Sequence, residues 1–203
     1  MTAQLRRAVF LDRDGVLNRA ICENGKSRPP RNLAELEIPT GVAEALCALR
    51  AAGFLLIGVT NQPDVARGET PRHLVEAINA QLQAQLPLDE IRVCYHDDAD
   101  QCACRKPQPG MLLQAAAQSA IDLSRSFMIG DRWKDIEAGR RAGCRTIWLE
   151  PPTSEPWHGA PPTHRVASLR EAAAWILARV AGEAELTNPL HQVQSAAEKL
   201  LDE

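Results

Sequence analysis

Five short apolar runs constrain this chain more than any other feature. Each ends in a turn of charged or small polar residues, and stretches with helical spacing separate them. The predicted strands are 8–11, 54–59, 91–95, 126–129 and 145–149. A helix is predicted over 42–52, with Val42, Leu46 and Leu49 on one face and Gly53 as its stop. Thr70-Pro71 predicts an N-cap and a proline at the first helical position of a helix running to about residue 86. Further helices are predicted over 111–120 and over 134–142, the latter stopped by Gly143. Strands alternating with helices imply βαβ units and a Rossmann-like α/β fold, with a mostly parallel sheet covered on both faces. In such sheets ligands bind beyond the carboxyl ends of the strands, so the residues just after each strand are the candidates for chemistry.

The organisation expected is one domain over 1–182 and a helical tail over 183–203. Residues 151–164 hold five of the fourteen prolines and read as an irregular loop. Ser168 and Glu171 fit a capping box that opens a helix to residue 181. In the tail, Leu186, Leu190, Val193 and Leu200 are candidates to pack on the domain or on a neighbour.

After the first strand stand Asp12 and Asp14, followed by Gly15. Two carboxylates at one point suit Mg²⁺, a hard cation with oxygen ligands. One of the pair can attack phosphorus, and the other can protonate the leaving oxygen and then activate water. After the second strand stand Thr60, Asn61 and Gln62, donors suited to phosphate oxygens. Further on, Arg105-Lys106-Pro107 supplies cations for a transferring phosphoryl group. After the fourth strand, Asp131 offers a third Mg²⁺ oxygen, and Asp135 suits a brace for Lys106 or for the metal's water shell, or the first turn of a helix. Each motif alone is equally a polar turn, a loop start, a solvated basic pair or a helix cap. Acid pair, threonine, lysine and acid, each near a strand end and in that order, together describe a Mg²⁺ phosphoryl-transfer site.

Cys94, His96, Cys102 and Cys104 place four soft or borderline ligands within eleven residues. That is the stoichiometry of a closed Cys₃His structural Zn²⁺ site, the alternative being reduced thiols on a loop. The zinc would brace the loop that delivers Arg105 and Lys106. The other cysteines, Cys22, Cys47 and Cys144, are scattered, unlike the framework of a small secreted domain.

Composition excludes several classes of function. Lys plus Arg number 23 against 26 Asp plus Glu, for a net charge of −3, which gives no basic footprint for nucleic acid. Aromatics are 4%, too few for a single-strand stacking platform. No apolar run approaches the roughly 20 residues of a membrane span, and the N-terminus lacks the apolar region of a signal peptide. The expected location is the cytoplasm, and a monomer is expected.

Asp12-Arg13-Asp14-Gly15-Val16, Thr60-Asn61-Gln62, Cys104-Arg105-Lys106-Pro107 and Gly130-Asp131 with Asp135 together resemble the haloacid dehalogenase superfamily of phosphatases. The resemblance spans about residues 7–150. Ala66-Arg67-Gly68 and the run from Cys102 to Met111 most resemble its D-glycero-D-manno-heptose 1,7-bisphosphate 7-phosphatases. This implies a phosphatase with Asp12 as nucleophile and Asp14 as general acid/base. It implies Mg²⁺ on the Asp12 and Asp131 carboxylates and the Asp14 backbone carbonyl, and a zinc-bearing loop. Thr60 and Lys106 would steady the phosphoryl group, while Asn61, Gln62, Arg105 and Arg132 would contact a small sugar phosphate.

Three features depart from that pattern. Pro63-Asp64 replaces the usual Ser-Gly, and the spacer 97–101 resembles that of histidinol-phosphate phosphatases. The stretch 18–38 is longer than expected. A histidinol-phosphate phosphatase or another small phosphomonoester phosphatase is therefore the alternative, and a non-catalytic zinc-containing binding module is the alternative of another class. No large cap domain fits between the motifs. Arg28, Arg31, Arg67 and Arg105 are candidates for a basic rim that receives a second phosphate.

Overall fold

A computed structural model describes residues 5–23, 25–151 and 157–186. Its centre is a six-stranded parallel sheet. The strands are β1 (Arg7–Leu11), β4 (Phe54–Asn61), β5 (Glu90–Cys94), β6 (Phe127–Gly130), β7 (Arg145–Leu149) and β8 (His164–Val166), in the order β5-β4-β1-β6-β7-β8. A separate antiparallel hairpin of β2 (Ile21–Glu23) and β3 (Lys26–Arg28) follows β1. Among the described residues no domain is inserted between the strands.

The central strands are apolar on both sides because both faces are covered. In β1, Val9 and Leu11 enter one core, while Ala8 and Phe10 enter the other. The first core holds α1 (Val42–Ala51), α2 (Arg72–Gln85) and α5 (Leu169–Leu186), through Leu46, Leu49, Ile78, Leu82, Ala172 and Ile176. The second holds α3 (Gly110–Ser119) and the end of α4 (Trp133–Ala142), through Met111, Leu112, Ala115 and Ala142. From β1 the chain winds outward to β5, then returns to β6 on the other side of β1. The helices change face at that reversal, which opens a crevice at the ends of β1, β4 and β6.

The fold expectation holds, and three local expectations are corrected. Thr70 does not cap α2: Pro71 occupies the N-cap, and the Thr70 amide donates to the Asp64 carbonyl at 3.1 Å. The loop predicted over 151–164 ends in β8, a three-residue edge strand too short to show periodicity. The last helix runs to Leu186 rather than to residue 181. Leu190, Val193 and Leu200 lie outside the described residues.

Candidate active site

The first three strands of the crevice deliver their polar residues to one point. Asp12 leaves β1 with its amide donating to the Ile129 carbonyl at 2.9 Å, which ties it to β6. Asp131 leaves β6 on the other side of that junction. Lys106 enters from the loop before α3 and is 2% exposed. Its Nζ donates to Asp12 Oδ1 at 2.6 Å and to the Val59 carbonyl at 2.7 Å, and pairs with Asp135 Oδ1 at 2.6 Å. Asp135 also accepts from the Arg132 amide at 3.0 Å, so it both braces Lys106 and closes the first turn of α4. The brace on Lys106 and the place in the first helical turn are therefore both present.

Carboxylate oxygens of Asp12, Asp131 and Asp135 lie within 4.8 Å of one another. Burial, then the Asp135 charge, raises Asp12 to about 6 despite Lys106. Burial, then the charges of Asp12 and Asp135, raises Asp131 to about 8. Burial alone would lower Lys106, but the carboxylates of Asp12 and Asp135 overcome it and hold its ammonium charged. Asp131 is 4% exposed, and its Oδ1 has no hydrogen-bond partner. Two glycines make room for the cluster. A Cβ on Gly15, whose φ is +99°, would stand 2.1 Å from Asp131 Oδ2, and one on Gly130 would stand 2.1 Å from the Asp135 Cβ.

The Asp14 carboxylate lies outside this group and in a cradle of donors. Arg13 Nε donates to both of its oxygens at 3.2 Å, and Arg13 Nη2 to Oδ2 at 3.0 Å. Asn18 donates to Oδ1 at 3.1 Å and Gln62 Nε2 to Oδ2 at 2.8 Å. Gln62 Nε2 also donates to Thr60 Oγ1 at 2.9 Å, which leaves the Thr60 hydroxyl hydrogen for another acceptor. Asn61 grips the Lys106 backbone, donating to its carbonyl and accepting from its amide, both at 3.0 Å. Asn61 and Gln62 thus line the cavity while their amides hold Lys106, Thr60 and Asp14 in place.

Cys94, at the end of β5, pairs in register with Asn61 of β4. Around it gather His96 Nδ1 at 3.6 Å, Cys102 Sγ at 3.6 Å and Cys104 Sγ at 3.2 Å. Cys104 Sγ lies 3.3 Å from His96 Nδ1 and 3.4 Å from Cys102 Sγ. A tetrahedron with metal–sulfur bonds of about 2.3 Å has edges of about 3.8 Å, so the four atoms approximate one. All three thiols are free of disulfides. Burial and the neighbouring thiols raise Cys94, whereas Cys102 is lowered to about 7 because donors from Cys104 and the Arg105 amide outweigh its burial.

Above the floor opens a cavity of about 780 Å³. Arg28, Arg31, Arg67, Arg105, Arg132 and Lys134 line it. The rim arginines are bound to carboxylates: Arg28 to Glu23 at 2.7 Å and Glu35 at 2.8 Å, Arg67 to Asp97 at 2.6 Å, and Arg105 to Asp98 at 2.7 Å. Arg132 Nη2 donates to the Ser27 carbonyl, which joins the hairpin to the start of α4. The long stretch 18–38 is thereby a wall of the cavity. Sequence reasoning missed Arg13, Asn18 and Asn79, which donate to or support Asp14. Asn79 carried a signal, since it interrupts the apolar stripe Val75–Ile78–Leu82 of α2.

Gly15→Ala is expected to destabilise the protein by about 2–4 kcal/mol, combining left-handed backbone strain with overpacking against Asp131. Thermal and denaturant unfolding check this, and an unchanged midpoint would mean that Asp131 yields freely.

A family model described as HAD-hydrolase-like matches residues 103–172. The chain is similar to the D-glycero-beta-D-manno-heptose-1,7-bisphosphate 7-phosphatase of Helicobacter pylori, with 34% identity over 176 residues, 84% of this chain and 97% of the relative. It is 40% identical over 151 residues to the enzyme of the same name from Photorhabdus laumondii, covering 68% of this chain and 77% of that one. Among solved structures, it resembles D,D-heptose 1,7-bisphosphate phosphatase from B. bronchiseptica, complexed with magnesium and phosphate. The TM-score is 0.72 and the identity 27%, covering 85% of this chain and 99% of the other. The acid–lysine floor at the ends of parallel strands and these similarities agree, and the chain belongs to the haloacid dehalogenase-like phosphatases, as a phosphoric monoester hydrolase.

Proposed function

We propose that the protein is a Mg²⁺-dependent phosphatase of the cytoplasm that removes the 7-phosphate of D-glycero-D-manno-heptose 1,7-bisphosphate. The observation that carries the reading is the buried floor of Asp12, Lys106, Asp131 and Asp135 beneath an arginine-lined cavity, in a chain similar to enzymes of that name. Asp12 is the nucleophile: its carboxylate oxygen forms a bond to phosphorus as the ester P–O bond breaks, and Asp14 gives its proton to the leaving sugar oxygen. Water then attacks the aspartyl phosphate, Asp14 takes a water proton, and the P–O bond to Asp12 breaks to release phosphate. Lys106 and the Thr60 hydroxyl meet the phosphoryl oxygens. Arg105 and Arg132 contact the sugar or its second phosphate, and Asn61 and Gln62 stand beside them.

The floor suits Mg²⁺. Three carboxyl groups face one ammonium, and Asp131 Oδ1 is an orphaned hard donor. Asp12, Asp131 and the Asp14 backbone carbonyl would hold the ion, which when bound offsets charge on the phosphoryl oxygens. The four thiol and imidazole atoms suit Zn²⁺, held by Cys94, His96, Cys102 and Cys104, which fixes the loop bearing Arg105 and Lys106.

Glu23, Asp64 and Glu69 on the cavity lining favour a second reading, an ammonium-bearing ester such as histidinol phosphate. Phosphate release with Mg²⁺ from both heptose bisphosphate anomers, histidinol phosphate and hexose phosphates decides between them. The bisphosphate should exceed the others at least tenfold in kcat/KM, and Asp12→Asn should abolish every turnover. Preference for histidinol phosphate would overturn the substrate assignment, and residual turnover in Asp12→Asn would overturn the nucleophile.

Mg²⁺ binding should strengthen with pH. Because Asp12 and Asp131 are raised above their ordinary 3.8, to about 6 and about 8, protons compete with the ion and are expelled as it binds. The metal-free floor favours folding most below about pH 4 and loses that contribution as pH rises through both values. The melting shift produced by Mg²⁺ should therefore grow from pH 6 to 8.5, with protons released in calorimetry; a constant shift argues against these ligands.

Metal analysis should find one zinc per chain. Cys102→Ser or chelation should remove it and lower kcat/KM more than tenfold, as Lys106 loses its placement. Full activity without zinc would sink the bracing role.

A further inference from the structure

Among the described residues Arg13 is the largest side chain that is wholly buried, and the chemistry above leaves it unused. In sequence it lies between the proposed nucleophile and the proposed acid, yet it is not among the residues that line the cavity. Nε and Nη2 contact the Asp14 carboxylate, and Nη1 donates to Asn79 Oδ1 at 2.9 Å. Asn79 is a buried polar residue on the core-facing side of α2, 66 positions away in sequence. A guanidinium is a planar fork, so fixing one nitrogen and a carboxylate fixes the plane of the whole group. With Asn18 and Gln62, the fork surrounds the Asp14 carboxylate from several directions.

We propose that Arg13 and Asn79 are positioning residues that aim the Asp14 carboxylate at the leaving oxygen of the substrate, with α2 as the rigid support. This rests on the reading of Asp14 as general acid. Proton transfer demands hydrogen-bond reach, and a side chain left to its own rotamers loses it. Asn18 and Gln62 each give the Asp14 carboxylate one donor, whereas Arg13 contacts it through two nitrogens of one planar group, and among the described contacts Asn79 receives the far side of Arg13.

The test uses kcat/KM, which covers only transfer of phosphoryl to the enzyme, on two esters. Heptose bisphosphate leaves as an alkoxide and needs a proton; p-nitrophenyl phosphate leaves as a stabilised phenolate and does not. Asp14→Ala should lower kcat/KM on the sugar ester on the order of 10²–10⁴-fold and on the aryl ester far less. Asn79→Ala should lower it about tenfold on the sugar ester and less than threefold on the aryl ester, with zinc content unchanged. Asn79→Asp, which keeps an oxygen acceptor for Arg13, should restore the sugar ester to within about threefold. Arg13→Met should show a larger loss of the same kind; since it leaves a buried carboxylate underserved and risks misfolding, the Asn79 pair decides. Equal losses on both esters in folded Asn79→Ala, no loss at all, or no rescue by Asn79→Asp would overturn the proposal while Asp14 stands. If Asp14→Ala itself treats the two esters alike, the reading of Asp14 as acid falls, and the proposal falls with it.

Discussion

The structure turns on one desolvated ammonium. Lys106 Nζ sits among Asp12, Asp135 and the Val59 carbonyl with almost no solvent. A charge in that position is tolerated only with close partners and good geometry, because burial costs several kcal/mol per ion before pairing. Its partners come from β1, β4 and α4, three separate elements of the doubly wound sheet. The ammonium therefore records the correct assembly of the strand ends, and any shift of one strand would leave a buried charge unpaired. The cluster contributes placement more than stability. Two like carboxylates beside a third, with a single internal cation, are an unfavourable arrangement that raises Asp12 and Asp131.

Delivery of that lysine takes more structure than the lysine itself. The Asn61 amide grips the Lys106 backbone on both sides, and parallel register puts Asn61 beside Cys94. The same strand end thus anchors the backbone of the lysine and the first member of the Cys/His group. Arg105 and Arg67 then tie the loop through Asp98 and Asp97. The loop has no regular secondary structure beyond one turn of 3₁₀ helix, and these pairs add to its backbone hydrogen bonds, among them Gln108 N–H to the Arg105 carbonyl and Gly110 N–H to the Ala103 carbonyl. Asn61 and Gln62 read in sequence as substrate contacts because both carry free donors at a strand end. The same amides also bind the protein: Asn61 holds the Lys106 backbone, and Gln62 Nε2 holds Asp14 and Thr60.

What the sequence made legible follows from the range of the forces involved. Strands buried on both faces are apolar throughout, so 8–11 and 54–59 stood out, and the acids follow them directly. The Cys/His group lies within eleven residues and needs no tertiary knowledge. Partners 66 or 94 positions apart, such as Arg13 with Asn79 and Asp12 with Lys106, depend on which helix packs on which strand. Local pattern carries the residue types but not the pairing. The error at Thr70 has the same origin. Thr-Pro is a sound local cap signal, but the Asp64 carbonyl takes the Thr70 amide and moves the cap to Pro71.

Pairing also changes what the basic rim means. Read as a list, Arg28, Arg31, Arg67 and Arg105 are cations awaiting a phosphate. In the structure Arg28, Arg67 and Arg105 each hold a carboxylate within 2.8 Å. Asp64, the departure from the related pattern, lies 3.5 Å from the Arg67 guanidinium and shares it with Asp97. Exposed pairs of this kind are worth about 0–1 kcal/mol each, so a phosphate with two or three acceptor oxygens can compete for the same forks. Asp64 adds a second negative charge beside the Arg67 guanidinium, so an anion that engages Arg67 displaces one carboxylate in the presence of another.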